Sequence, residues 1–292
     1  MSQTSLTELG LVDTHCHLWR LELLRRVWQP PQVIFRTFEP KDLAEASQPI
    51  GVERCVLIEA GTTPEDNQAL EEMAAASDLI GAIIPYVDPR SSTLVEELDY
   101  WEQNPKFRGI RMRYEGHTEP DILTHPSTVE GLKELAHRGL VFEFLVQTPR
   151  LKDILEVYER VPELKGAVEH MGKPDLRQGT GWEEWSQQMK ALATNTNVIC
   201  KLSISPRAED FDEIFANPGQ GWSMELVKPH IQLLLELYGP ERLMWGSDWP
   251  VALLESDYVG TYRTIKDALG RLDPGDEVQL FRTTATRFYV LE

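Results

Sequence analysis

Cysteine is scarce in this chain: there are three in 292 residues, Cys16, Cys55 and Cys200, an odd number at wide spacings. That excludes a disulfide framework and reads as buried thiols in a reducing cytoplasm. Long apolar runs are missing as well. None approaches the roughly 18 residues that cross a bilayer, so no membrane role is expected. Residues 1–10, MSQTSLTELG, lack the basic start and apolar middle of a signal peptide, which leaves export unsupported. Positive charge is in short supply, with 29 Lys plus Arg against 47 Asp plus Glu and a formal net charge of −18. Such a field repels nucleic acid and anionic membranes, and an anionic substrate would need local arginines or lysines. No linker, low-complexity tract or internal repeat divides the chain, so one domain over residues 1–292 is expected.

What remains is a globular composition, 41% hydrophobic and 26% charged, at a length normal for one α/β barrel. A chain near this size buries roughly 75% of its unfolded surface, so its core needs neither disulfide nor metal. Short, mostly β-branched segments read as strands at 11–19, 53–60, 79–87, 107–113, 140–146, 165–172, 198–204 and 242–250. Helical patterns fill 40–50, 64–77, 93–104, 126–138, 150–161, 183–194, 223–238 and 257–271, and several carry start or stop signals such as Thr63-Pro64, Pro126, Ser223, Gly139 and Gly239. Eight alternations of strand and helix call for a parallel sheet that closes as a (β/α)8 barrel. A last helical stretch, 276–290, is expected to pack across one end.

The first strand carries LVDTHCHLW. Alternation puts Asp13, His15 and His17 on one side, with Thr14 and Cys16 on the other. Two titratable rings side by side in a barrel interior are more than packing wants. Glu143, His170, Lys201 and Asp248 fall in other strand segments. Singly, Glu143 or Lys201 reads equally well as a polar residue in a misread strand. Together, charges inside a barrel are costly unless paired or ligated, so they point to one common site.

DTHCHLW, FRGIR, EHMGKPD, CKLS and GPERLMWGSDWPV, from residue 11 onward, resemble the amidohydrolase superfamily, and within it the amidohydrolase-2 branch of sugar-acid and dicarboxylate lactonases. The resemblance implies a distorted (β/α)8 TIM barrel with its site at the C-terminal mouth. It puts His15 and His17 on the first-strand pair, His170 on the sixth-strand histidine and Asp248 on the eighth-strand aspartate. Arg111 and Met112 stand where binuclear relatives use a bridging carboxylated lysine, so one metal ion is expected, not two. Two histidines and a carboxylate can hold one Zn²⁺ and leave a place for water. Asp248 would take that water's proton and return it to the leaving oxygen. His170 is either a further ligand or the group that polarises the substrate carbonyl, and Glu143 is a candidate ligand. A metal-free mechanism is also open, because a lactone is an activated ester.

The expected reaction is hydrolysis of a small lactone. Decarboxylation of an unsaturated or aromatic acid, and a non-catalytic barrel that binds sugar acids, are the alternatives. Arg111 and Arg113 share a face and could grip a carboxylate or hydroxyls, although Arg113 reads equally as a rim arginine paired with the acidic surface. Lys201 would bind substrate or brace Asp248. Trp19, Tyr114, His117 and Trp222 fall near the expected mouth, where aromatics suit stacking on a ring. The stretch 21–38 is long for a connection and could be a lid. The outer helices leave the oligomeric state open, a homo-oligomer included.

Overall fold

The structure is a computed structural model and describes residues 10–25, 32–113, 119, 121–216, 219 and 221–291. Eight strands follow the chain: β1 (Leu11–Cys16), β2 (Val52–Ile58), β3 (Ile80–Ile84), β4 (Gly109–Arg111), β5 (Val141–Phe144), β6 (Lys165–Val168), β7 (Ile199–Leu202) and β8 (Leu243–Trp245). All pair in parallel, as one run β1-β2-β3 and a second run β4-β5-β6-β7-β8. Single bridges join the runs. Ile83–Phe107 and Tyr86–Arg111 link β3 to the β4 side, and Cys16–Trp249 links β1 to the chain beyond β8. The result is a closed but distorted (β/α)8 barrel whose two seams are thinner than its ladders.

Local chemistry explains the helices between the strands. The helix Pro64–Ala75 starts with proline at its first turn and a reciprocal cap between Thr63 and Asp66. The helix Pro126–Arg138 stops where Gly139 turns left-handed at φ 69°. Between strands and helices, Leu57, Leu132, Ile154, Leu192, Leu234 and Ile265 belong to one continuous apolar layer. Inside the barrel a smaller cluster joins Val12, Val56, Ile84, Val141, Ile199 and Met244 to Ala285, Tyr289 and Leu291. The C-terminal helix Thr284–Tyr289 therefore plugs the end of the barrel where the strands begin.

Several strands are shorter than their patterns suggest, and this moves functional residues off the ladder. β6 stops at Val168, so His170 lies in a turn beyond it. β8 stops at Trp245, and Asp248 has left-handed backbone at φ 56°. The expected shared face of Asp13, His15 and His17 is also corrected. The β1–β2 register shifts between Asp13 and Cys16, and such an irregularity breaks period-two alternation. Asp13 points away from the imidazoles, toward Ser247 and Tyr258.

Candidate active site

At the C-terminal mouth, His15 and His17 Nε2 stand 3.1 Å apart. Asp248 Oδ1 is 3.6 Å from the first and 3.4 Å from the second. The seam between β1 and β8 makes this meeting possible. Asp248 N–H donates to the His15 carbonyl at 2.8 Å, and His17 N–H donates to that of Trp249 at 2.7 Å. Close approach is permitted by Gly246, where a Cβ would sit 2.7 Å from that of His15. His17 Nδ1 lies 3.1 Å from the Ile58 carbonyl and 3.0 Å from that of Glu59, so its proton belongs there and the Nε2 lone pair faces the site. His170 packs edge-on to His15 at 4.4 Å between ring centroids, with Nδ1 held 2.9 Å from the Ser203 hydroxyl.

The donor set suits a divalent ion. Zinc bonds of about 2.0–2.1 Å in a tetrahedron imply ligand-to-ligand edges of about 3.3–3.4 Å. The triangle of His15, His17 and Asp248 has edges of 3.1, 3.6 and 3.4 Å. Ligand atoms of His15, His170 and Asp248 also lie within 4.8 Å of one another. Asp248 Oδ2 is buried with no hydrogen-bond partner among the described residues, an arrangement that is costly unless something fills it.

Charge at the site is set by burial and near neighbours. Burial, reinforced by the charges of His170 and Lys201, pushes His15 well below the usual imidazole range. Burial also takes His170 down to about 4, against the opposing pull of Asp248 and Glu169. For Asp248 burial works against ionisation, but His170, His17 and Ser205 outweigh it and hold the carboxyl below its ordinary value. At neutral pH the floor is therefore neutral imidazole beside carboxylate, the protonation state that ligates a metal or accepts a proton.

A cavity of about 280 Å³ opens over this floor, lined among others by His17, Trp19, Arg111, Arg113, His170 and Asp248. Trp19 is held by its indole N–H on the Arg36 carbonyl at 2.8 Å. Leu24, from the stretch expected to form a lid, also lines the cavity, while Ile34 and Phe38 are buried. Residues 26–31 of that stretch, and Tyr114 and His117, lie outside the described residues. Trp222 is not in the lining; the Arg177 guanidinium lies 5.1 Å over its ring.

Arg111 reaches the cavity but is already engaged. It donates to Glu59 Oε1 at 2.7 Å and to Glu169 Oε2 at 3.0 Å. Arg113 donates to the same Glu59 at 3.1 Å and to the Ala60 carbonyl at 2.7 Å. Glu143 and Lys201 are corrected more fully, since neither lines the cavity. They form an enclosed ion pair at 2.9 Å beneath it. Lys201 Nζ also donates to the Thr14 carbonyl at 2.8 Å and stands 3.3 Å from His15 Nδ1. The Tyr289 hydroxyl, from the C-terminal plug, donates to Glu143. Both side chains are fully buried and face each other inside the barrel, a pairing that offsets the cost of enclosing either charge. Residues not singled out from the pattern are Glu59, Glu169, Lys173 and Ser205. Glu169 and Lys173 flank His170 in EHMGKPD, but a charged residue there looks the same whether it turns inward or outward.

A family model described as amidohydrolase matches residues 12–291. The chain is similar to an L-fucono-1,5-lactonase of Burkholderia ambifaria, 29% identical over 288 residues that span 96% of both chains. It is also similar to an L-fucono-1,5-lactonase of Burkholderia multivorans, 25% identical with the same coverage. Among solved structures it matches an amidohydrolase from Burkholderia multivorans with bound zinc, at a TM-score of 0.83 and 25% identity, covering 97% of this chain and 100% of that one.

Proposed function

Because the chain belongs to the amidohydrolase family, we propose that it hydrolyses a small, uncharged sugar-acid lactone, with Asp248 carrying the proton. The observation that carries this reading is the floor itself: an ionised carboxylate, one oxygen of which has no hydrogen-bond partner among the described residues, against the imidazoles of His15 and His17 at the base of an open cavity. His15, His17 and Asp248 would hold one zinc ion, with His170 beside them. When bound, the ion supplies a Lewis acid and a water whose pKa is lowered toward about 7.

The chain's own groups account for the remaining steps. Asp248 takes a proton from the attacking water, whose oxygen bonds to the lactone carbonyl carbon. The ring C–O bond then breaks, and Asp248 returns the proton to the departing ring oxygen. The product is the hydroxy acid, which ionises to its carboxylate. His170, neutral and braced by Ser203, lies beside this path. Trp19 gives the cavity an aromatic wall for a sugar ring.

Charge balance favours a neutral ring over a dicarboxylate. Both cavity arginines are bound by Glu59 or Glu169, so a dianion would have to compete with two glutamates for them. Three buried free thiols fit a reducing compartment such as the cytoplasm, and no described helix is long and apolar enough to cross a membrane. The test is acid release from L-fucono-1,5-lactone and related aldonolactones, run beside a pyrone dicarboxylate and aromatic acids. Turnover of neutral lactones alone is expected. Carbon dioxide release from the acids with lactones inert would refute the reading, as would tight lactone binding without turnover.

A further inference from the structure

Arg111 ends β4 at the thin seam of the barrel, where β3 and β4 meet only through the bridges Ile83–Phe107 and Tyr86–Arg111. Its side chain reaches two strands away on either side. Toward β2, Nε donates to Glu59 Oε1 at 2.7 Å and Nη2 to the Glu59 carbonyl at 2.8 Å; toward β6, Nη1 donates to Glu169 Oε2 at 3.0 Å. Glu59 and Glu169 are each the first residue beyond their strand. All three side chains are enclosed, none more than 3% exposed. Burying such a set gains little stability, because apolar side chains of similar volume do as well or better, so the arrangement is explained by what it orients.

What it orients is the ring of His17 and the surroundings of His15 and His170. The Glu59 carbonyl that accepts Arg111 also lies 3.0 Å from His17 Nδ1, and a carbonyl oxygen with two lone pairs serves both donors. Glu59 is pinned once more by its own N–H on the Ile84 carbonyl at 2.9 Å. This matters because the ring has one proton and two sides. Asp248 Oδ1, 3.4 Å from His17 Nε2, competes with the carbonyls at Nδ1 for it. On the other arm, Glu169 directly precedes His170, and its carboxylate stands 3.6 Å from His15 Nδ1 and 3.8 Å from His170 Nε2. Its bond to Arg111 is shorter than either distance, so the guanidinium decides where that carboxylate sits.

We propose that Arg111 is a positioning residue. Its guanidinium fixes the Glu59 carbonyl that keeps the His17 proton on Nδ1, and it fixes the Glu169 carboxylate beside His15 and His170, in place of gripping the substrate. A planar fork can hold acceptors in several directions at once, which a lysine ammonium on a flexible stem does not reproduce. The role rests on the lactonase reading above only for the reaction that the rings serve.

Two variants test it. Arg111→Lys keeps the charge but not the fork, and Arg111→Met combined with Glu169→Leu removes the arginine without leaving that glutamate buried alone. Both are compared with the wild type, free of metal, by nitrogen NMR of the His17 ring, by calorimetric titration of L-fuconate, and by steady-state kinetics on the lactone the wild type opens fastest. The wild type is expected to carry the His17 proton on Nδ1, and each variant to show a mixture of Nδ1 and Nε2 forms. In both, kcat should fall about 10- to 100-fold, while KM and aldonate affinity stay within about twofold, the pattern of a group that acts on the reacting geometry and not on ground-state binding. A His17 proton that stays on Nδ1 in both variants, a wild type with that proton on Nε2, or a loss of aldonate affinity as large as the loss in kcat would overturn the proposal. Turnover of no lactone by the wild type counts against the lactonase reading alone, and the ring spectrum then decides the role of Arg111.

Discussion

Asp13 accepts both the backbone N–H of Ser247, at 2.9 Å, and its hydroxyl, at 2.6 Å, from 234 positions along the chain. The same carboxylate takes the His15 N–H at 3.0 Å and the Tyr258 hydroxyl at 2.7 Å. One fully buried side chain thus ties the strand that carries the histidines to the turn that carries Asp248. Asp13→Ala leaves two buried N–H groups unpaired and should cost about 3 kcal/mol or more. Asp13→Asn should cost less than about 1.5 kcal/mol, since its oxygen still meets both N–H groups and the two hydroxyls can rotate to accept. Urea unfolding of both variants checks the order.

Acid should destabilise the metal-free protein through His170. Its folded value of about 4 lies below the ordinary 6.5. As pH falls through 6.5 the unfolded chain takes up a proton that the folded chain refuses until about pH 4. The stability contributed by this group is complete above 6.5 and is lost between there and 4, on the order of 3 kcal/mol. His15, also depressed by burial, acts in the same direction. Denaturant unfolding between pH 7.5 and 4.5 should show the fall, with a shallower slope in His170→Gln.

The Lys201–Glu143 pair should matter for stability more than for substrate affinity. Lys201→Met strands a buried carboxyl and is expected to cost about 3–5 kcal/mol, whereas Lys201→Met combined with Glu143→Leu should recover much of that loss. A double-mutant cycle by denaturant unfolding gives the coupling. KM should change little, because neither side chain lines the cavity.

Zinc should bind the folded chain at neutral pH. Added zinc is expected to raise the Tm, by an amount that grows with free zinc above its Kd. His17→Ala should abolish most of that rise while leaving the far-ultraviolet spectrum unchanged. Equal zinc-dependent shifts in the variant and the wild type would count against the proposed ligand set.

The barrel was legible because each repeat announces itself twice, once by a short β-rich run and once by a helix with its own start or stop, such as Thr63-Pro64 or Gly139. Residue type likewise singled out His15, His17, His170 and Asp248. Orientation was harder to read, because period-two logic ends where the ladder ends. The register shift in β1 reverses Asp13, and left-handed backbone re-aims His170 and Asp248. Pairing was hidden for a different reason. Lys201 and Glu143 neutralise each other across the barrel, as Arg111 does with Glu59 and Glu169, and nothing local in a strand reveals its partner on another.

The central claim is that Asp248 moves the proton in lactone hydrolysis, and Asp248→Asn tests it most directly. The amide keeps the size and shape of the side chain but cannot take the proton. With Tm and aldose binding matched to the wild type, the account predicts a fall in kcat of at least about 100-fold. Undiminished lactone turnover by Asp248→Asn would contradict it.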